Sequence, residues 1–343
     1  ITECIYYADL TTLNVFITTE LLKCHIQSYN GLDELDYQFN SYQGNTLELN
    51  LNDQWNINGF HEIIGNPPYN DKQKNTGKKG GGDLLWNKFV DISLDKFLLP
   101  KGHLIFVHPP GWRKPDSANS KYSGLFKKMT CNNQMVYLEI HDTKDGKKTF
   151  NCGTRYDWYV IENTPVYKPT TIMSETSTIY EYDLSKWNFL PNDNLDTIHS
   201  VLKTDADEAC EIEFSTSSYE SRKNWVQKAE DATYKHPLIH STPQKGNRIM
   251  YSSRNDNGHF ATPKVIFGDS GIYNAVVDFD GLYGMTQHAM AIKVDNLSEA
   301  NMIKQALESK KFKQLLTDCS WSNYQIDWRL FTYFKKDFWK EFV

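Results

Sequence analysis

An α/β fold with a mostly parallel sheet is predicted for residues 1–165, and a separate α+β domain for residues 166–343. Three observations carry this. Short runs such as Ile5–Leu10, Glu62–Gly65, His103–Val107 and Trp158–Ile161 are apolar at nearly every position, as in strands buried on both faces. They alternate with helical periodicity, which is the pattern of strands joined by covering helices. Two of the runs stop abruptly in Pro-Pro turns, Asn66-Pro67-Pro68-Tyr69 and Pro109-Pro110. Proline fixes φ near −65° and cannot continue a central ladder.

In chain order, the first strand ends in Asp9, and Thr11 or Thr12 is a fair helix cap. Leu13, Phe16, Ile17 and Leu21 then recur at helical spacing as an amphipathic stripe. An acid at the end of a parallel strand either caps the next helix or bonds a ribose diol. Tyr42–Leu47 reads as a short strand with a polar end, and Asn50–Asn58 as loop. Asn70–Gly82 mixes Lys72, Lys74, Lys78 and Lys79 with glycines. It lacks the Gly-Lys-Ser/Thr ending of a P-loop, so it is either a basic loop on a nucleic-acid backbone or a solvated surface loop. Asp83 caps an expected helix through Phe97, stopped by Pro100-Lys101-Gly102. Trp112-Arg113-Lys114 follows on a loop, and Met135–Ile140 is a further strand. Pro165–Thr178 reads as a linker. Beyond it, short strands precede a helix over Ser298–Leu316 and an aromatic-rich tail packed on the strands. Lys245, Arg248 and Arg254 alternate with Tyr251 and His259, which suits either phosphate and base contact or a solvated loop.

At 343 residues, the chain exceeds what one core usually holds, so two domains are expected. An aromatic content of 14% marks a globular chain, and no apolar run approaches the roughly 18 residues of a membrane span. Six scattered cysteines show neither CxxC nor zinc spacing. The expectation is reduced thiols in an intracellular, cytoplasmic protein without a metal site. A net charge of −6 argues weakly against nucleic-acid binding, which follows local patches.

The Asn66-Pro67-Pro68-Tyr69 turn can hold an amide oxygen, a free carbonyl and an aromatic face in one small volume, the groups that grip a planar base bearing an amine. With its surroundings, it resembles the catalytic motif of adenine-N6-specific DNA methyltransferases of restriction–modification systems. The resemblance covers residues 1 to about 165. It implies a Rossmann-like methyltransferase domain using S-adenosylmethionine, followed over residues 166–343 by a target-recognition DNA-binding domain. Asn66, Pro67, Pro68 and Tyr69 are then catalytic, with Tyr69 and Phe150 stacking on a flipped base. Asp9, Leu10, Asn45, Thr46, Asn66 and Asp83 fall where the family holds its cofactor, although Asn45 stands where an acid is usual. Lys78, Lys79, Arg113, Lys245, Arg248 and Arg254 are the candidate DNA contacts. The implied partners are double-stranded DNA and a cognate restriction endonuclease or fused nuclease segment.

The family's glycine-rich cofactor loop precedes the Asp9 strand and is not seen there. Val265–Gly271 is the one internal candidate, and Ala275–Val277 after it reads as strand instead of the helix such a loop needs. The chain thus reads as the remainder of a longer enzyme. Two other readings stay open: a methyltransferase acting on RNA or a protein glutamine amide, and a non-catalytic or partner-dependent DNA-binding subunit.

Overall fold

The computed structural model describes residues 4–30, 38–70, 84–118, 120–321 and 325–343. β1 (Tyr6–Asp9) leads into α1 (Thr12–Asn30), and β2 (Asn40–Gln43) lies parallel to β1 with Asp9 opposite Gln43. Thr11 is the cap: its hydroxyl accepts the Asn14 N–H at 3.3 Å. α2 (Leu51–Trp55) and β3 (Phe60–Gly65) follow, then α3 (Trp86–Ile92), which continues as a π-helical segment over Ser93–Phe97. β4 (Leu98–His108) runs parallel to β3, with Gly65 opposite Phe106. The expected strand therefore reaches back to Leu98. Pro100-Lys101-Gly102 is taken up as an irregularity between the Phe60–Leu98 and Glu62–His103 pairs, with Lys101 at a φ of 64°.

α4 (Leu125–Thr130), β5 (Gln134–His141), α5 (Thr143–Phe150) and β6 (Tyr156–Glu162) come next. The expected linker instead supplies β7 (Thr170–Met173), antiparallel to β8 (Ile179–Tyr182). The six-stranded sheet has the order β3-β4-β6-β5-β7-β8, while β1 and β2 form a two-stranded sheet of their own. The mixed α/β class holds, with β1–β2 and β3–β4 parallel and β7–β8 antiparallel.

The chain divides into two compact units: Ile1–His108, Asn132–Tyr137 and Trp158–Lys168, and then Pro109–Cys131, Leu138–Asp157 and Pro169–Val343. The first unit has a core cluster of Leu49, Leu51 and Phe97, against which Tyr42, Phe60 and Ile63 pack. Tyr6 joins through ring contacts to Trp55 and Phe60 at 5.1 and 5.3 Å. On α1 the apolar stripe is turned outward: Leu13, Phe16 and Leu21 are 64%, 60% and 66% exposed. Helical spacing identified the helix correctly but not which face is covered.

The second unit adds α6 (Leu195–Val201) and two four-stranded sheets. One contains β9 (Ile212–Glu213), β13 (Lys264–Gly268), β14 (Val276–Asp278) and β16 (Ala289–Lys293). The other contains β10 (Val226–Gln227), β11 (His236–Ser241), β12 (Arg248–Ser252) and β15 (Gly284–Met285). Ile239, Ile266, Met285 and Ala291 fill the core between their strands. The expected helix over Ser298–Leu316 is two helices, α7 (Leu297–Glu308) and α8 (Lys310–Asp318), because Ser309 adopts an extended backbone and caps α8 through the Phe312 N–H. The aromatic tail packs as expected: Phe331 meets Phe267 of β13 at 5.1 Å and sits in a buried ring cluster with Phe312, Phe334 and Phe338.

Candidate active site

In the first unit, the candidate side chains collect at the C-terminal ends of parallel strands. This is where α/β sheets place ligands, since the chain must turn there and leaves backbone and side-chain groups free to converge. β3 ends at Gly65 and delivers Asn66 to Tyr69. Asn66 is exposed, Pro67 buried, and Tyr69 half-buried. The turn is anchored from behind: the Leu85 N–H donates to the Tyr69 carbonyl at 3.1 Å, and Asn70 bridges Leu84 in antiparallel fashion. With Gly65 paired to Phe106 before the turn and these bonds after it, the backbone is held at both ends while the Asn66 side chain is exposed. Asp83, Lys78 and Lys79 lie outside the described residues.

Beside it, β4 ends in His108, which sequence reading did not single out. His108 is fully buried, stacks on Trp86 at 3.8 Å with 16° between the planes, and its Nε2 lies 2.8 Å from the Tyr159 hydroxyl. In the β3–β4 register, His108 lies two residues past Phe106, as Pro67 lies two past Gly65. The three rings form a rigid support at the strand ends. Such a histidine could be suspected from its position, since it closes an apolar strand directly before a Pro-Pro turn.

The candidate cofactor residues of β1 and β2 also converge. The Gly44 N–H donates to the Asp9 carbonyl at 3.0 Å, which ties the two strand ends together. Asp9 Oδ1 accepts from the Thr11 N–H at 2.8 Å, the Thr11 hydroxyl at 3.1 Å and the Asn14 amide at 3.0 Å. Oδ2 accepts from the same amide at 3.1 Å. Partial burial raises the carboxyl pKa, but these donors outweigh it and hold it below the usual carboxylate value. Asp9 is therefore an ionised acceptor whose second oxygen still has lone-pair capacity, which fits a diol donor. Asn45 fits less well. Its oxygen caps the short helix Thr46–Glu48 through the Leu47 N–H at 3.2 Å, and its amide donates to Glu48 at 2.7 Å. Both ends of that side chain are engaged locally. Leu10 is 69% exposed beside Asp9, and Thr46 is half-buried.

The other candidates lie in the second unit. Phe150 ends α5, partly exposed, with its ring edge-on to Tyr156 at 4.9 Å. Tyr156 stacks on His141 at 4.3 Å, and burial together with donation to the Asp145 carboxylate pushes its pKa up to about 12. Arg113 is corrected outright: it is fully buried and cannot touch DNA. Its guanidinium makes a two-armed pair with Asp157 at 2.8 and 3.0 Å and donates to the Leu190 and Pro191 carbonyls and the Asn192 amide oxygen. Trp112 donates to the same carboxylate at 2.9 Å. This network groups the Pro109–Cys131 segment with residues far downstream.

Lys245 lies exposed between β11 and β12, and Arg248 opens β12, also exposed. Arg254 is exposed, bonded to Asp256 at 2.8 Å and poised over the Trp225 ring at 4.5 Å. In the candidate Val265–Gly271, Val265–Gly268 is buried in β13, antiparallel to β14 and β16, and Val276–Asp278 after it is strand instead of the helix a cofactor loop needs. Among the described residues, no cluster of His, Cys, Asp and Glu could hold a metal ion, and no helix is long and apolar enough to cross a membrane.

Residues 3–150 match the sequence profile of the Eco57I restriction-modification methylase family. The match covers less than half of the chain. Curated proteins give no match. Among solved structures, the type IIL restriction-modification enzyme MmeI in complex with DNA is similar over 91% of this chain and 52% of its own, at 9% identity and a TM-score of 0.51. The type IIG restriction endonuclease BpuSI is similar over 98% of this chain and 54% of its own, at 9% identity and a TM-score of 0.44. A modification subunit of a putative type I restriction enzyme from Vibrio vulnificus YJ016 is similar over 50% and 35%, at 11% identity and a TM-score of 0.36. The chain spans about half or less of the length of these proteins.

Proposed function

We propose that this chain methylates the N6 amine of an adenine in a specific double-stranded DNA site, with S-adenosylmethionine as methyl donor. The observation that carries the reading is the Asn66–Tyr69 turn at the end of β3, pinned by backbone bonds with its carboxamide exposed. An adenine amine is a weak nucleophile because its lone pair is delocalised into the ring. Asn66 Oδ1 and the Pro67 carbonyl would each accept one N–H, favouring a more tetrahedral nitrogen in the transition state than in the ground state. Tyr69 would stack on the purine. Proton loss can follow methyl transfer, so no strong base is required of the turn. The base must leave the duplex to reach it, at a cost of about a few kcal/mol that stacking partly offsets.

The donor supplies an electrophilic methyl group on a sulfonium. Asp9 is the residue of this chain suited to its ribose: ionised, at a strand end and still able to accept. Incubating the protein with duplex DNA and isotope-labelled donor, then identifying the labelled base by mass spectrometry, tests the reading; N6-methyladenine is expected. Label on cytosine or on no base contradicts it.

A second reading, a partner-dependent subunit, draws on the outward apolar stripe of α1, which includes Leu13, Phe16 and Leu21. Titration calorimetry with S-adenosylmethionine separates the two, because a subunit lacking donor binding gives no heat.

A further inference from the structure

The second unit contains a cleft of about 620 Å³ whose lining is one-sided in charge. Lys114, Arg155 and Lys313 line it, with Tyr122, Tyr273 and Trp321, and no Asp or Glu does so among the described residues. In a chain of net charge −6, this is a local reversal of sign. Arg155 is neutralised by Glu175 behind it. Lys313 on α8 is different: its ammonium lies 5.0 Å from the centre of the Tyr273 ring, and no carboxylate pairs with it among the described residues. Tyr273 is 48% exposed. Its position depends on Gly271, which adopts a φ of 129° and where a Cβ would come within 2.9 Å of the ring. A half-exposed aromatic ring with a cation beside it presents a stacking face and a positive charge together, the pair that a base and its phosphate would meet.

We propose that this cleft is a DNA-strand subsite in which Tyr273 stacks on a base while Lys313 and Lys114 meet the flanking phosphates. The inference rests on the reading that this chain acts on DNA, and adds to it a contact surface that does not include the Asn66–Tyr69 turn. The volume lies within the range of small-ligand pockets and admits a nucleotide. Aromatic stacking plus backbone charge is how unpaired or distorted strands are held without base-edge readout.

The test is fluorescence anisotropy of a labelled duplex against the intact protein over a series of salt concentrations. Tyr273→Ala is expected to weaken binding by about 5- to 100-fold, and Tyr273→Phe, which keeps the ring, to restore it. Lys313→Gln should make the dependence of log affinity on log salt shallower by about one, the signature of one lost phosphate contact. Lys186→Gln removes a more exposed charge outside the cleft and should leave affinity and slope unchanged. If wild-type protein binds duplex and Tyr273→Ala and Lys313→Gln bind equally well, the subsite is wrong and the DNA reading stands. An equal loss on Lys186→Gln also overturns it, since net charge alone then explains the effect. If wild-type protein binds no DNA, the DNA reading fails and the subsite falls with it.

Discussion

Two neighbouring strands, β3 and β4, end alike in sequence and differently in fate. Each ends in an apolar run (Ile63-Ile64 and Leu104–Val107), each leads to a Pro-Pro pair, and each is followed by a polar side chain, Asn66 and Arg113. Asn66 stays exposed on a turn whose backbone bonds are satisfied behind it. Arg113 is fully buried and saturated by Asp157, Leu190, Pro191 and Asn192. The difference teaches that a turn offers polar groups, while distant partners decide whether those groups serve structure or chemistry. A buried guanidinium needs a carboxylate and carbonyls, and the chain supplies them 44 to 79 positions away.

The largest expected effect comes from breaking the buried member of the pair. Arg113→Ala leaves Asp157 without its cation in a site shut off from water and should cost about 3–5 kcal/mol, read as a lowered midpoint in denaturant unfolding. Asn66→Ala should move the same midpoint by less than about 0.5 kcal/mol, because the side chain is exposed. Equal losses for the two would erase the contrast. Next comes the support under the turn. His108→Ala removes a fully buried ring stacked on Trp86 and bonded to Tyr159, and should destabilise the first unit by about 2–4 kcal/mol. Measured at a temperature where the variant is folded, it should also lower methyl transfer, showing that the support positions the turn.

A smaller effect belongs to the helix start beside Asp9. Thr11→Ala removes the cap of α1 and should cost about 1 kcal/mol in unfolding. Asp9 adds a pH dependence of stated sign. Its folded pKa is depressed, so its contribution is present above the unfolded value of about 3.9 and is lost as pH falls below that through the folded value. Asp9→Asn should flatten the acid limb of the stability curve in that window, lowering stability at neutral and alkaline pH while leaving the most acidic end nearly unaffected.

What could be read from the sequence, and what could not, follows the same division. The strand–turn at Asn66, the strand–helix junction at Asp9 and the aromatic tail were legible, because each rests on local patterning: period, proline geometry or ring density. The outward face of α1 was not, since spacing defines a stripe without saying what covers it. Nor was the burial of Arg113, since its partners lie far along the chain. Pro165–Thr178 looked like linker because Pro and Thr mark turns, yet Thr170–Met173 pairs as an edge hairpin with β8, where a strand tolerates such neighbours. Ser309 splits the C-terminal helix although the apolar spacing continues through it, because a capping serine offers the backbone an alternative hydrogen bond.

The central claim is that the exposed carboxamide of Asn66 does chemistry rather than structure. It is tested most directly by assaying methyl incorporation into duplex DNA by wild-type protein and by Asn66→Ala, with unfolding midpoints measured alongside. The account predicts a loss of about 100- to 1,000-fold in turnover with the midpoint unchanged, as for removal of one hydrogen-bonding group aimed at the reacting atom. Full turnover in Asn66→Ala would contradict it.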